Sequence, residues 1–338
     1  MRRLVISIAA ATIALGLAVS EMGVAAARRP PAHGRLEGIP HFGHVFLIIG
    51  ENTSLSQEDA RTAPYLVSRL KPHAAWLTNY FANANGSLAD YIAMTSGHFR
   101  RCEINDDLPY HLNSGKLLCH EPGNNLFHQL DRAHISWTEW DESMPNPCAF
   151  IDTGVDWYSD VYSTHHNPAV YYDNIEGARY NESVSGAPKA ECLRRVKPTG
   201  TTAPNDMSAF NAALSGGHAA RFNMVIPNDC QNGHDHCGKE NPHRLFDAFL
   251  RREVPKIESS RAFGSNGLIL ITYDEWGDAT PHNHHVAFVA VGPLVRPGVY
   301  KGGPFSHYSL LRTLEDGFRI STHLRGAAHA RAINQIWK

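Results

Sequence analysis

Four oxygen-bearing side chains stand at the ends of two apolar runs. Val45-Phe-Leu-Ile-Ile-Gly50 stops at Glu51 and Asn52, and Gly267-Leu-Ile-Leu-Ile-Thr-Tyr273 stops at Asp274 and Glu275. Carboxylate and amide oxygens are hard ligands. A site that gathers them suits Mg2+, Ca2+, Mn2+ or Zn2+, and the set does not choose among these. Such a cation draws electron density off phosphoryl oxygens. Hydrolysis of a phosphate ester needs that help, plus a nucleophile and a proton donor for the leaving alcohol.

Ser87 is the candidate nucleophile. It lies in Asn83-Ala-Asn-Gly-Ser87-Leu-Ala-Asp90, where a loop becomes a helix that Gly97 closes. Position alone favours an N-cap, the helix-start role that serine commonly fills. The sharper reading rests on the free N–H groups and partial positive charge of a helix start, which suit a phosphate and an alkoxide. A metal touching the hydroxyl would lower its pKa and activate it without a histidine base. His234 and Asp235 stand in a second polar loop, Asp229-Cys-Gln-Asn-Gly-His-Asp-His-Cys237, and His285 opens another apolar run. They are the further candidates; the competing reading of the loop is a histidine-rich surface turn. His165-His166 reads as a surface pair.

These residues need elements to position them. An unbroken β-branched run reads as a strand buried on both faces, as in parallel sheets. Open α/β sheets bind ligands at the carboxyl ends of such strands. Further strands are expected at 75–81, 135–140, 222–228 and 284–292. Helices are expected at 63–70, 124–133, 243–259 and 306–316. Residues 98–200, irregular and holding four cysteines, read as an elaboration lying over the site. The expected fold class is α/β, a mostly parallel sheet flanked by helices with a disulfide-braced insertion.

The 338 residues, 43% of them hydrophobic, suffice for one large core. A net charge of −2 implies no nucleic-acid partner. Residues 1–27 read as a cleaved signal peptide: Arg2-Arg3, an apolar stretch, then Ala25-Ala-Ala27. That leaves a single domain, 28–338, secreted, with no stable membrane anchor and no protein partner implied. Six cysteines in an exported chain point to disulfides, and of 15 possible connectivities the simplest is 102–119, 148–192 and 230–237. No Gly-x-Ser-x-Gly elbow, GxGxxG or Walker loop is present.

Together these blocks resemble the bacterial phosphoesterases that include secreted acid phosphatases and phospholipases C, within the alkaline-phosphatase-like superfamily. The similarity runs from Val45-Phe-Leu-Ile-Ile-Gly-Glu-Asn-Thr-Ser54 through Ser87–Gly97, Ile226–Asp235, Ile271–Glu275 and Val291–Gly298 to His307-Tyr-Ser-Leu-Leu-Arg-Thr-Leu-Glu-Asp316. The resemblance implies a doubly wound α/β fold, and Ser87 as a nucleophile that forms a phosphoryl-enzyme. It implies a divalent metal at Glu51, Asn52, Ser87, Asp274 and Glu275, with His234, Asp235 and His285 near the phosphoryl group. The small size, without an obvious lipid-docking domain, makes a phosphomonoesterase the expected function, with a phosphorylated small molecule or phospholipid as substrate. The alternatives are a phospholipase C and an inactive binding protein on the same fold. The chain departs from the common pattern in carrying Asn85-Gly86 before the serine, where members often have His-Pro. It also has Ala89-Asp90 where they have Pro-Asn, and Gln231-Asn-Gly-His-Asp235 for Asn-Asp-Met-His-Asp.

Overall fold

The apolar run that ends in Glu51 is a central strand, β1 (Val45–Gly50), with every residue buried. It belongs to a computed structural model that describes residues 36–110, 118–153, 161–177, 188–277 and 284–338. The segment read as a signal peptide lies outside them. In chain order the other strands are β2 (Ala75–Leu77), β3 (Tyr80–Phe81), β4 (Trp137–Asp141), β5 (Val196–Pro198), β6 (Phe222–Ile226), β7 (Leu268–Tyr273), β8 (Phe288–Val291), β9 (Gly298–Tyr300) and β10 (Phe305–Ser306). The helices are α1 (Ser87–Ser96), α2 (Arg101–Ile104), α3 (Leu126–Arg132), α4 (Ala190–Arg195), α5 (Ser208–Ser215), α6 (Pro242–Ser259), α7 (His307–Gly317) and α8 (Arg325–His329).

Eight strands form one sheet in the order β5-β4-β6-β1-β7-β8-β2-β9, and β3 pairs with β10 apart from it. From β5 to β7 all neighbours are parallel. β8 runs antiparallel to both β7 and β2. The expected mostly parallel sheet flanked by helices is therefore present. β1, β6 and β7 are buried at every position, which is why they lack the alternation of a half-exposed strand. Each fully buried Ile, Leu or Val contributes about 1.5–3 kcal/mol over its exposed state.

Three sequence readings need revision. Residues 63–70 are helical from residue 64 onward, but Leu66–Leu70 winds as a π-type turn instead of a regular α-helix. Residues 75–81 divide into two strands in different sheets. The stretch 98–200 plays two parts. It supplies β4 and β5 to the main sheet, and its turn Thr164–His166 reaches the site described below. The cysteines pair as Cys102–Cys119, Cys148–Cys192 and Cys230–Cys237, the simplest connectivity.

Candidate active site

Because β1 and β7 are parallel neighbours in register, with Gly50 opposite Tyr273, their ends bring Glu51–Asn52 beside Asp274–Glu275. Backbone bonds lock the junction: Asp274 N donates to Gly50 O (3.0 Å) and Thr53 N to Glu275 O (3.1 Å). Gly50 is required here, since a Cβ would lie 2.5 Å from the Tyr273 ring and 2.9 Å from Asn232 O. Asn52 adopts φ 43°, a left-handed conformation that asparagine tolerates better than most residues. That turn aims its N–H at Asp274 Oδ1 (3.0 Å). Glu51 N donates to Asn232 O (2.8 Å), which joins the β6 loop to the same edge.

Ser87 arrives from another part of the fold. It is the first residue of α1, and the residue preceding the helix is Gly86 at φ 152°. The N-cap reading of Ser87 is therefore corrected: glycine, which alone accepts this backbone, takes that position. A Cβ at Gly86 would also lie 2.7 Å from Ile104 O. Gly86 N donates to Glu275 Oε2 (3.1 Å) and Leu88 N to Asp106 Oδ1 (2.8 Å), so carboxylates hold both sides of the serine. α1 is buried at all ten positions, with Gly97 in the left-handed C-terminal conformation.

Ser87 lines a cavity of about 500 Å3 together with Glu51, Asn52, Glu275, His234 and Asp235. Asp274 lies beside it, fully buried, its Oδ1 also accepting from Glu275 N (2.6 Å). Among the sequence candidates, His285 is not brought there. β8 runs against its neighbours, so its start lies at the carboxyl edge of the sheet, but the His285 ring stacks on Phe81 with centroids 4.2 Å apart.

The cavity also holds residues that sequence reasoning missed. His165 and His166, read as a surface pair, both line it, and His166 is 4% exposed. His166 Nδ1 lies 3.1 Å from Asp229 Oδ1, and its Nε2 lies 3.4 Å from Glu51 Oε1. His234 Nδ1 stands 3.5 Å from the same Glu51 oxygen and 3.4 Å from Asp235 Oδ1. A short 3-10 turn carries no periodic signal, and Asp229 and Glu51 are distant in sequence. Nothing local therefore marks His166 as buried.

The charges follow from these contacts. Burial alone would raise the Glu51 carboxyl, but His166 and His234 more than offset it and hold it well below the usual range. Burial works against the His166 cation, yet Glu51 and Asp229 raise its pKa well above the ordinary value. His234 is raised to about 11 by its hydrogen bonds to Asp235 and Glu51. His165 shifts down, through burial and then the His166 charge. Asp274 and Glu275 are not so compensated: the His166 charge opposes the rise at Asp274 without cancelling it. Burial and then the neighbouring carboxylates push Asp274 up to about 7 and Glu275 up to about 9.

This donor set fits a hard divalent cation. Asp274 Oδ2 and Asn52 Oδ1 are buried and unpartnered among the described residues. Buried acceptors without a donor are costly, and acceptors gathered beside ionisable carboxyls are what a metal satisfies. Glu51 with His165 and His166, and Glu51 with His234 and Asp235, also place ligand atoms within 4.8 Å of one another.

The family model described as "Phosphoesterase family" matches residues 44–321. The chain belongs to the phosphoesterase family. As a member it is a phosphoric ester hydrolase. It is 24% identical over 320 residues to a protein of Mycobacterium tuberculosis named phosphatidylinositol-3-phosphatase, covering 95% of this chain and 88% of that one. It is 24% identical to a probable acid phosphatase of Kluyveromyces lactis, covering 81% of this chain but only 58% of the relative. Among solved structures, an alkaline phosphatase superfamily protein from Vibrio parahaemolyticus shares the fold, with TM-score 0.54 and 10% identity. That match covers 86% of this phosphoesterase and 71% of the other chain.

Proposed function

We propose that the protein is a metal-assisted phosphomonoesterase that works through a phosphoserine at Ser87. The observation that carries this reading is Ser87 at the start of α1, in one cavity with Glu51, Asn52 and Glu275 and with Asp274 beside it. Glu51, Asn52, Asp274 and Glu275, with the Ser87 hydroxyl, would hold a divalent metal (Mg2+, Ca2+, Mn2+ or Zn2+). When bound, the metal supplies Lewis acidity, lowering the hydroxyl pKa and drawing charge off the phosphoryl oxygens.

The chain's own residues do the rest. Ser87 Oγ attacks phosphorus as the ester P–O bond breaks, and the alcohol leaves with a proton. Water then attacks the phosphoserine, releasing phosphate and restoring Ser87. His166, held as a cation between Asp229 and Glu51, gives the phosphoryl group a fixed positive wall. His234, paired with Asp235, is the donor for the leaving oxygen. His165, whose pKa is lowered, is the neutral imidazole that accepts the proton of the attacking water. His285 acts from outside the cavity, holding Phe81.

The relatives' names favour a monoesterase over a phospholipase C, since each names a phosphatase. The substrate is a phosphate monoester on a small molecule or a lipid headgroup. Export after cleavage near residue 27 fits three disulfides, which persist in oxidising compartments. Among the described residues no helix is long and apolar enough to cross a membrane. The test is inorganic phosphate release from simple monoesters by wild type and Ser87→Ala, each with and without chelator. Release that needs both Ser87 and metal supports the reading, and release unaffected by Ser87→Ala overturns it.

A further inference from the structure

His307 opens α7 and is completely buried, away from the cavity, yet it touches both halves of the site. Its Nε2 lies 2.5 Å from the main-chain oxygen of Asp274 and 3.5 Å from Oδ1 of Asp90. Its Nδ1 lies 2.9 Å from the Tyr80 hydroxyl. A carbonyl oxygen only accepts, so Nε2 carries the proton, and Nδ1 is left to accept from Tyr80. The ring is neutral in this arrangement. Burial agrees, lowering the imidazole pKa to about 4.

Asp90 continues the connection. Its Oδ1 accepts the main-chain N–H of Asn83 (2.7 Å) and of Ala84 (3.0 Å), at the start of the loop that delivers Ser87. At the other end of that loop, Gly86 donates to Glu275. A closed circuit results: Asp274, His307, Asp90, the loop 83–87, Glu275 and back along the chain to Asp274. The side chains of Asp274, His307, Asp90, Ser87 and Glu275 are each less than a tenth exposed. Water therefore does not compete for these bonds, and a shift at one member is passed to the next.

We infer that His307 is a positioning residue: its imidazole, bonded through Nε2–H to the acidic end of β7 and set 3.5 Å from Asp90 of the nucleophile's helix, sets the separation of Ser87 from Asp274 and Glu275. This inference rests on the functional reading above. A histidine that merely filled space would not need both ring nitrogens placed on polar partners, nor a backbone carbonyl of the acidic pair as one of them.

The experiment compares His307→Leu, which removes the donor, with His307→Gln, whose amide N–H restores a donor near Nε2. The readouts are kcat and KM on p-nitrophenyl phosphate, and calorimetric titration of the metal-free protein with Mn2+. A misplacement near 1 Å can cost about 100-fold, so His307→Leu should lower kcat by about 30–300-fold with KM changed less than about 3-fold. Loss of a group that orients metal ligands weakens affinity by about 10–100-fold, and Mn2+ binding should fall within that range. His307→Gln should recover about 10-fold of the lost kcat, in keeping with one restored hydrogen bond.

If the leucine variant melts earlier but binds Mn2+ and turns over like wild type, His307 is a packing residue and the inference fails. Should that variant not fold, Tyr80→Phe carries the test, because it removes only the bond that fixes the ring. Unchanged kcat and unchanged Mn2+ affinity in Tyr80→Phe would then overturn the inference. If wild type releases no phosphate from any monoester, the functional reading fails, and the Mn2+ titrations still decide the role of His307.

Discussion

The two walls of the cavity are built from the same residue types and carry opposite electrostatics. On the wall made by the ends of β1 and β6, each buried carboxylate meets an imidazole. Glu51 faces His166 and His234, and Asp229 faces His166. On the wall made by the end of β7, the hydrogen bonds to Asp274 and Glu275 from the described residues come from backbone N–H groups, those of Asn52, Glu275 and Gly86. On the first wall Glu51 is held well below the usual carboxyl range; the second is pushed toward protonation, at about 7 and about 9. Equal burial with unequal pairing teaches where outside positive charge is needed. The protein neutralises one half itself and leaves the other to protons or a cation.

The comparison is broken most severely at the serine that faces both walls. Ser87→Ala should cut kcat by about 10^4-fold or more, the scale of losing a nucleophile that acts as a unit with its neighbours. The check is steady-state phosphate release alongside circular dichroism to show an intact fold. Next comes the self-neutralised wall. His166→Ala leaves Glu51 and Asp229 buried without their cation, and breaking a buried pair from one side costs about 3–5 kcal/mol. Urea unfolding of the metal-free protein should show that loss.

The unneutralised wall gives a pH prediction. Asp274 and Glu275 have folded pKa values raised above their unfolded ones, as do Glu58, Glu142 and Glu176, each raised to about 7 by burial. Such groups stabilise the fold below the ordinary carboxyl range, and the contribution is lost as pH rises through 7. His307 has the opposite sign: its folded pKa is depressed, so its contribution is present above about 6.5 and is lost as pH falls toward 4. The metal-free melting temperature should therefore fall from pH 6 to pH 8, with the carboxyls dominating. Saturating Mn2+ should flatten the fall, because it replaces the protons on Asp274 and Glu275. A metal-free melting curve that rises over this range would contradict the comparison. The smallest effect is expected at Asp90, where burial raises the carboxyl pKa well above normal and Oδ1 accepts two main-chain N–H groups. Asp90→Asn should cost about 1 kcal/mol or less, measured by thermal unfolding, since asparagine keeps the acceptor that matters.

The β7 wall was legible in the sequence because it is local. A buried apolar strand followed at once by two acids declares both the element and its chemistry, and β1 with Glu51–Asn52 does the same. α6 and α7 were equally plain from their 3.6-residue spacing. The imidazole wall was half hidden. His234 and Asp235 stood out in a cysteine-bounded loop, whereas His165 and His166 lie in a turn with no period to read, and His166 meets Tyr91, Glu51 and Asp229, all distant in sequence. Ser87 was found as a residue, but its place in the helix was misjudged by one position. Gly86 has φ 152°, and a Cβ there would meet Ile104 O, a contact between segments that local sequence does not show. Asp90 and His307 carry no local mark, because they meet, 3.5 Å apart, across 217 residues of chain.

The account stands most directly on the phosphoserine. Wild-type protein turning over a monoester would be quenched in acid, digested and mapped by mass spectrometry, with Ser87→Ala treated alongside. The account predicts phosphate on Ser87 in the wild type, its loss when turnover is allowed to finish before the quench, and none in the variant. Turnover that persists in Ser87→Ala, or phosphate trapped on another residue of the cavity, would contradict it.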